Sequence, residues 1–229
     1  MATTTRTRAR RGEGDRLREE ILEAVGALLD ETKDESAVSI RAIAERVGVS
    51  APSIYRHFED KEALLNAVCA DVFAQLQFGI AESVAKASGP VDALARAGRC
   101  YIDFGLEHPE HYRLVFMRPV TRQWIPVTRE ELIEGLAPAA LPESDPVFGG
   151  DALAGSQAFK ALHDLVADVL AMIPKRSRPD TFAATTTFWM TVHGITSLRI
   201  TKPDFTWPTL DEQMATVMFP WRQYLATLT

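Results

Sequence analysis

The stretch from Ser39 to Phe58, SIRAIAERVGVSAPSIYRHF, gathers the side chains best suited to chemistry with a partner. Ser39, Ser50 and Ser53 bring short hydroxyls, Arg41 and Arg56 bring cations, and His57 brings an imidazole. Tyr55 sits at their edge and Lys61 lies just beyond. A serine both donates and accepts, an arginine can fork onto guanine O6 and N7 or clamp a phosphate, and a lysine acts on phosphate as a point charge. That is the chemistry of recognition, not of bond breaking. No Ser-His-Asp or Cys-His arrangement can be argued from spacing, and Gly149-Gly150 lacks the Lys-Ser/Thr pair of a phosphate loop. His108, His111 and His163 are metal ligands by residue type alone, but His108 and His111 flank Pro109 near a helix start, where capping or exposure is the simpler expectation. Cys69 and Cys100 have no CxxC partner and read as two small buried hydrophobes. No catalytic residue, metal or cofactor is expected.

Two short helices must position these groups. Ser39 is a good N-cap, Ile40, Ile43, Ala44 and Val47 form an apolar stripe, and Gly48 ends the helix. Ser50 caps the next, with Pro52 in its first turn, and the periodicity carries that helix to about Phe58. Ile54 and Phe58 then pin it inward, while Ser53, Arg56 and His57 face out. A helix pair with a glycine turn can also be a plain packing unit. Three features favour a nucleic-acid partner: an arm at residues 1–14 with Arg6, Arg8, Arg10 and Arg11, Arg41 at the N-terminus of the first helix of the pair, and Lys61 after the second. The net charge of −6 opposes this only in sum. The acids concentrate in Glu13–Glu35 and after Glu59, and only charge that faces phosphate enters the binding term.

The remaining chain reads as helix throughout. Asp15–Glu31 has a helical apolar period, Thr32–Val38 breaks it, and Asp60 caps a long helix from Lys61 to about Val84. Beyond Ser88-Gly89-Pro90, helices are predicted near Val91–Glu107, Pro109–Phe116, Asp151–Ile173, Asp180–Leu198 and Leu210–Leu228, the last kinked or split by Pro220. Arg118–Gly150 holds five prolines and reads as loop, with one helical turn at Arg129–Leu136. No alternating run supports a strand, so the fold class is all-α. No uninterrupted apolar run reaches the ~18 residues of a membrane helix, and the basic N-terminus has no apolar core behind it, so neither a membrane nor a secretory signal is expected and the cytoplasm is the expected location.

At this point the chain resembles the tetracycline-repressor (TetR) family of transcriptional regulators. The resemblance rests on EEILEAVGALL, then SIRAIAERVGVSAPSIYRHFEDKEALL with its string Tyr55, His57, Phe58, Lys61 and Leu64. It implies a three-helix helix-turn-helix domain at residues 15–60 that binds double-stranded operator DNA. A larger helical domain at 61–229 would dimerise and bind a small molecule. By motif position, Arg41, Ala51, Pro52, Ser53, Arg56 and His57 would face the major groove, and Ser39, Ser50, Tyr55 and Lys61 would lie near phosphate. Arg56 stands where many members have a second aromatic, and whether it reads a base or clamps a phosphate is open. Trp189-x-x-x-His193-Gly194 also resembles the Trp-His-Gly subgroup, with Gly194 read as permitting close helix approach.

These features set the expectations for the second domain. A cavity lined by Tyr101, Phe104, Tyr112, Phe116, Phe159, His163, Trp189 and His193, with Leu162, Met172, Phe188 and Met190 nearby, would take a largely apolar effector. The same aromatics could simply fill a helical core. Phe182, Thr185, Trp189, Val192 and Thr196, with Leu210, Met214, Val217, Trp221, Leu225 and Leu228, form stripes suited to a homodimer, or to core within one chain. The helix from Lys61 is the visible link between DNA reader and cavity. Two other readings differ in kind: a regulator controlled by a protein partner or acting constitutively, and an enzyme with His193 or His163 as base, against which the absence of any nucleophile or cofactor motif weighs.

Overall fold

A computed structural model describes residues 13–117, 128–136 and 146–226 of the chain, and all its regular elements are helical. The arginines of the predicted arm, Arg6 to Arg11, lie outside the described residues. Helix α1 spans Glu13–Thr32, α2 Ile40–Val47 and α3 Ala51–Ile54. Then come α4 Lys61–Val84, α5 Pro90–Glu107, α6 Pro109–Phe116 and α7 Arg129–Glu134. Helices α8 Pro146–Ala171, α9 Thr181–Thr201 and α10 Leu210–Ala226 complete the order.

Two cores organise them. In the first, α1, α2, α3 and the start of α4 bury Ile21, Val25, Leu29, Ile43, Ile54, Phe58, Leu64 and Leu65. This unit is called the head. In the second, the body, α5, α8, α9 and α10 bury Leu94, Tyr101, Ile102, Val166, Val169, Phe188, Val192 and Met218. Two helices belong to both. Helix α4 gives Val68 and Val72 to the head and Leu76 to the body. Helix α6 gives Leu114 to the head and Tyr112 to the body, so the link between the two is double, not carried by α4 alone. An 18-residue stretch of α4 has a mean hydropathy of 1.4, so the helix is apolar enough to cross a membrane by length and composition, yet half of that stretch is buried, and its place in both cores accounts for that character.

Several boundaries depart from expectation. Helix α3 stops at Ile54, and the Ile54 carbonyl then accepts from both His57 N at 2.9 Å and Phe58 N at 3.0 Å. The backbone tightens there because Phe58 must turn into the head core. Helix α8 begins at Pro146, inside the segment read as loop, since proline is well suited to a first turn. Pro220 sits within α10 without dividing it.

The predicted dimer stripe is largely core of a single chain. Thr185, Val192 and Thr196 are buried, as are Met214 and Met218. Close approach of α5 and α9 explains this: a Cβ at Gly98 would lie 2.7 Å from Phe188 Cζ, and one at Gly105 would collide with Thr196 Cγ2. Those two glycines, not Gly194, admit the neighbouring helix, for a Cβ at Gly194 meets nothing within 4 Å. The opposite faces are the exposed ones. Met190 is 60% exposed and Leu198 49% on α9, and Phe219 is 59% exposed on α10. Met172 and Met190, placed with the cavity by sequence, point outward.

Candidate nucleic-acid interface and effector site

The turn between α2 and α3 is built by two devices. Ser39 Oγ accepts from Ala42 N at 3.1 Å and starts α2, and Gly48, at φ 75°, ends it in the left-handed region that favours glycine. The chain reverses within two residues, and Ser50 O accepts from Ser53 N at 2.8 Å to open α3. Ile54 is buried, which throws the other side of α3 into solvent. Tyr55 is 53% exposed, Ser39, Arg41, Ser50, Pro52 and Arg56 are exposed, and Ala51, Ser53, His57 and Lys61 are half-buried.

The polar groups on this face are already ordered. Ser50 Oγ and Ser53 Oγ lie 2.9 Å apart, and Arg56 donates to Ser53 Oγ at 3.1 Å. A guanidinium held by a neighbouring hydroxyl is aimed along the helix surface before any partner arrives. Behind the face, Arg18 of α1 stands over the Phe58 ring at 5.2 Å and fixes its edge.

Two cations are committed within the chain. Arg46 forks onto Glu31 at 2.7 and 2.6 Å, and this pairing holds the Glu31 carboxyl below its ordinary range. Its charge is therefore spent joining α2 to the end of α1. Lys61 Nζ donates to the Glu35 carbonyl at 3.3 Å, in the turn capped by Asp34. A phosphate contact by Lys61 has to compete with that bond.

In the body, three polar groups converge inside aromatic surroundings. Tyr112 Oη lies 2.6 Å from His193 Nδ1, Tyr101 Oη lies 3.2 Å from the same nitrogen, and the two phenols are 3.3 Å apart. Burial pushes the Tyr112 phenol up to about 12 and the Tyr101 phenol further in the same direction, and it pulls the His193 imidazole below its ordinary value. All three are uncharged at neutral pH. Around them, Phe116 packs on Tyr112 at 5.0 Å and Tyr101 at 5.4 Å, and meets Phe73 of α4 edge-on at 5.5 Å. On the other side, Trp189 follows His193 at 6.2 Å, Phe159 follows Trp189 at 6.4 Å, and Phe182 follows Phe159 at 5.4 Å. Arg129 of α7 closes this run, 4.9 Å over Phe182 and paired with Asp180 at 2.6 Å.

Six of the eight predicted effector residues are thus in one connected group: Tyr101, Tyr112, Phe116, Phe159, Trp189 and His193. Phe104 is not among them. It packs on His108 at 5.2 Å and lines an outer groove of about 430 Å³ with Arg96, Arg99, Cys100 and Asp103. His163 stands apart as well, its Nδ1 3.8 Å from Asp164. Sequence reasoning missed Phe73, because the helix from Lys61 reads as the link to the cavity and not as part of its wall, and Phe182, which falls on the stripe suited to a dimer. His108 does occupy the cap position between α5 and α6, though its backbone and not its side chain makes the bonds, whereas His111, expected at a cap or the surface, is largely enclosed against α1. Cys69 is buried as expected, while Cys100 is only partly so. Among the described residues, no group of histidines, cysteines and carboxylates could hold a metal.

An exposed helix-turn-helix face on a head that shares two helices with an aromatic body defines a class, the helix-turn-helix DNA-binding regulator. A profile described as bacterial regulatory proteins of the tetR family matches residues 31–68, and one described as a tetracyclin repressor-like C-terminal domain matches residues 94–219. The chain belongs to the TetR family of DNA-binding transcriptional regulators. It is 24% identical over 98 residues to YobS, an uncharacterized HTH-type transcriptional regulator of Bacillus subtilis (strain 168), in a match that covers 43% of this chain and about half the length of that relative. Among solved structures, a protein of unknown function from Rhodococcus sp. RHA1 superposes with a TM-score of 0.67 at 22% identity, over 90% of this chain and 94% of that one. AibR in complex with isovaleryl coenzyme A and operator DNA superposes with a TM-score of 0.56 at 18% identity, over 88% and 95%. At these identities, the two structures speak for the fold.

Proposed function

We propose that this regulator is a repressor released from a palindromic operator by a small, largely apolar effector bound in the body. The observation that carries the reading is the Tyr101–Tyr112–His193 group: two phenols converge on one neutral ring nitrogen inside an aromatic cluster. Buried polar groups are costly unless satisfied, and here each phenol has a partner, Tyr101 Oη donating to Tyr112 Oη at 3.3 Å and Tyr112 Oη lying 2.6 Å from the ring nitrogen, so a ligand oxygen would bind by taking the place of one of these bonds. That AibR was solved with both an acyl coenzyme A and operator DNA supports the same division of labour.

In this reading, residues 1–14 are a basic arm, 15–60 the DNA-binding domain and 61–229 the effector and dimerisation domain. Ser39, Arg41, Ser50, Ala51, Pro52, Ser53, Tyr55, Arg56, His57 and Lys61 meet the operator in the cytoplasm. The second copy seats on the outer faces of α9 and α10, at Met190, Leu198 and Phe219, with Gly194 offering room for a partner helix. An effector releases DNA only by binding the DNA-incompetent pose more tightly, and a tenfold shift needs about 1.4 kcal/mol of differential affinity.

The test is retardation of DNA from around the regulator's own gene, with and without candidate metabolites. Specific retardation that a metabolite abolishes is the expected result. Retardation that no metabolite alters, but a cellular protein does, would replace the effector with a protein partner. Light scattering that finds a stable monomer at micromolar concentration would remove the dimer.

A further inference from the structure

His111 lies in the joint between head and body. Its side chain is only 17% exposed, and Nδ1 is fully enclosed with no hydrogen-bond partner among the described residues. The other nitrogen faces α1: a Cβ at Gly26 would stand 3.0 Å from Nε2, so a hydrogen at position 26 is what admits the ring to this depth. Asp30, one turn further along α1, places its carboxylate 3.7 Å from Nδ1, beyond hydrogen-bond length. On the body side, His108 meets the ring edge-on at 5.8 Å. The neighbours of His111 on α6 point both ways, Leu114 into the head core and Tyr112 onto His193.

We propose that His111 is a positioning residue whose neutral imidazole, wedged against Gly26, sets the pose of the head on the body and makes operator binding sensitive to protons. The proposal rests on the operator-binding reading above. The charged and titratable groups that face the ring are Asp30 from α1, Asp71 from α4, and His108 and Glu110 from α6. Burial acts on it most strongly and holds it below its ordinary value, against the opposing pull of the three carboxylates.

The sign follows by linkage. A joint that disfavours the proton is stabilised above the free imidazole value of about 6.5 and loses that contribution as pH falls through it. Acidification therefore favours poses in which α1 has lifted and the ring reaches water, and the head is no longer held where α6 puts it.

Operator affinity measured from about pH 8 to about pH 5.5, for wild type and His111→Gln, tests this. Any contribution of the reading face is common to both proteins and divides out of their ratio. Over that range the wild-type to variant affinity ratio should fall by more than about threefold. Asp30→Asn keeps the ring but removes a carboxylate that favours its proton in the docked pose, so it should steepen the acid loss. That arm also decides the matter if His111→Gln does not fold. Gly26→Ala should weaken operator binding at every pH, and do so less in a His111→Ala background, where the methyl has room. A flat ratio, an unchanged profile in Asp30→Asn, or additive Gly26 and His111 effects would each overturn the proposal. Wild type that retards operator with a flat ratio sinks this inference alone, whereas wild type that retards no operator at any pH sinks the regulator reading and this one with it.

Discussion

Head and body bury opposite kinds of chemistry. The head closes over an aliphatic core of Ile21, Val25, Leu29, Ile43, Ile54, Leu64 and Leu65, with Phe58 at its edge, and carries its reactive groups outside on α3. The body keeps Tyr101, Tyr112 and His193 inside, among aromatic rings packed at 5–6 Å. Branched aliphatics in fixed rotamers make a rigid mount for a reading surface. Aromatics around a few polar atoms make an interior whose hydrogen bonds can be exchanged for those of a guest. On the proposed reading, one unit holds a shape and the other responds.

The largest test of that contrast is Ile54→Ala. It removes a fully buried side chain and should cost about 2–5 kcal/mol, read as a lowered melting temperature with loss of operator binding. A cost below about 1 kcal/mol would mean that the head core collapses easily and is no rigid mount. Next, Arg56→Ala should cost about 1–3 kcal/mol of operator affinity and relax preference at one base position. A loss uniform over all sequences would make Arg56 a phosphate clamp.

Tyr112→Phe deletes the hydroxyl 2.6 Å from His193 and should cost about 1 kcal/mol of stability while shifting effector response far more than operator affinity. If operator affinity moves as much as effector response, body and head are not the separate devices described. The same interior predicts a pH effect. His193 is held below its ordinary range by burial, so its contribution to stability is present above about pH 6.5 and lost on acidification, and melting of wild type against His193→Gln should converge toward low pH. Smallest is Lys61→Ala, which should weaken binding to all sequences alike and lower the salt slope by about one if Lys61 leaves Glu35 for phosphate. An unchanged slope would keep Lys61 as a brace of the Asp34–Glu35 turn.

The head was almost wholly legible in the sequence. Ser39, Gly48 and Asp60 announce their caps by residue type, and the structure uses each of them, with Asp60 accepting from Ala63 N at 2.7 Å. The tightening after Ile54 was not legible, because Ile54 and Phe58, four apart, can both pack inward from a regular helix as well as from the tightened turn. The body was legible as helices but not as surfaces. Thr185 and Thr196 look like a partner-facing stripe until Gly98 and Gly105, far along the chain, are seen to draw α5 over them. His111 was unreadable for a similar reason: its burial depends on a missing side chain at Gly26.

Gly98 and Gly105 also fix the direction in which the body can swell. Where they sit, α5 and α9 touch through Phe188 and Thr196 with no side chain between to swing aside, and prising them apart would forfeit dispersion contacts along the whole seam. Across the bundle, α8 meets α9 through the side chains of Phe159 and Trp189, ring centroids 6.4 Å apart, rather than backbone to backbone. An effector of the proposed kind would therefore meet its stiffest wall at the α5–α9 seam, where room can be made only by parting two backbones.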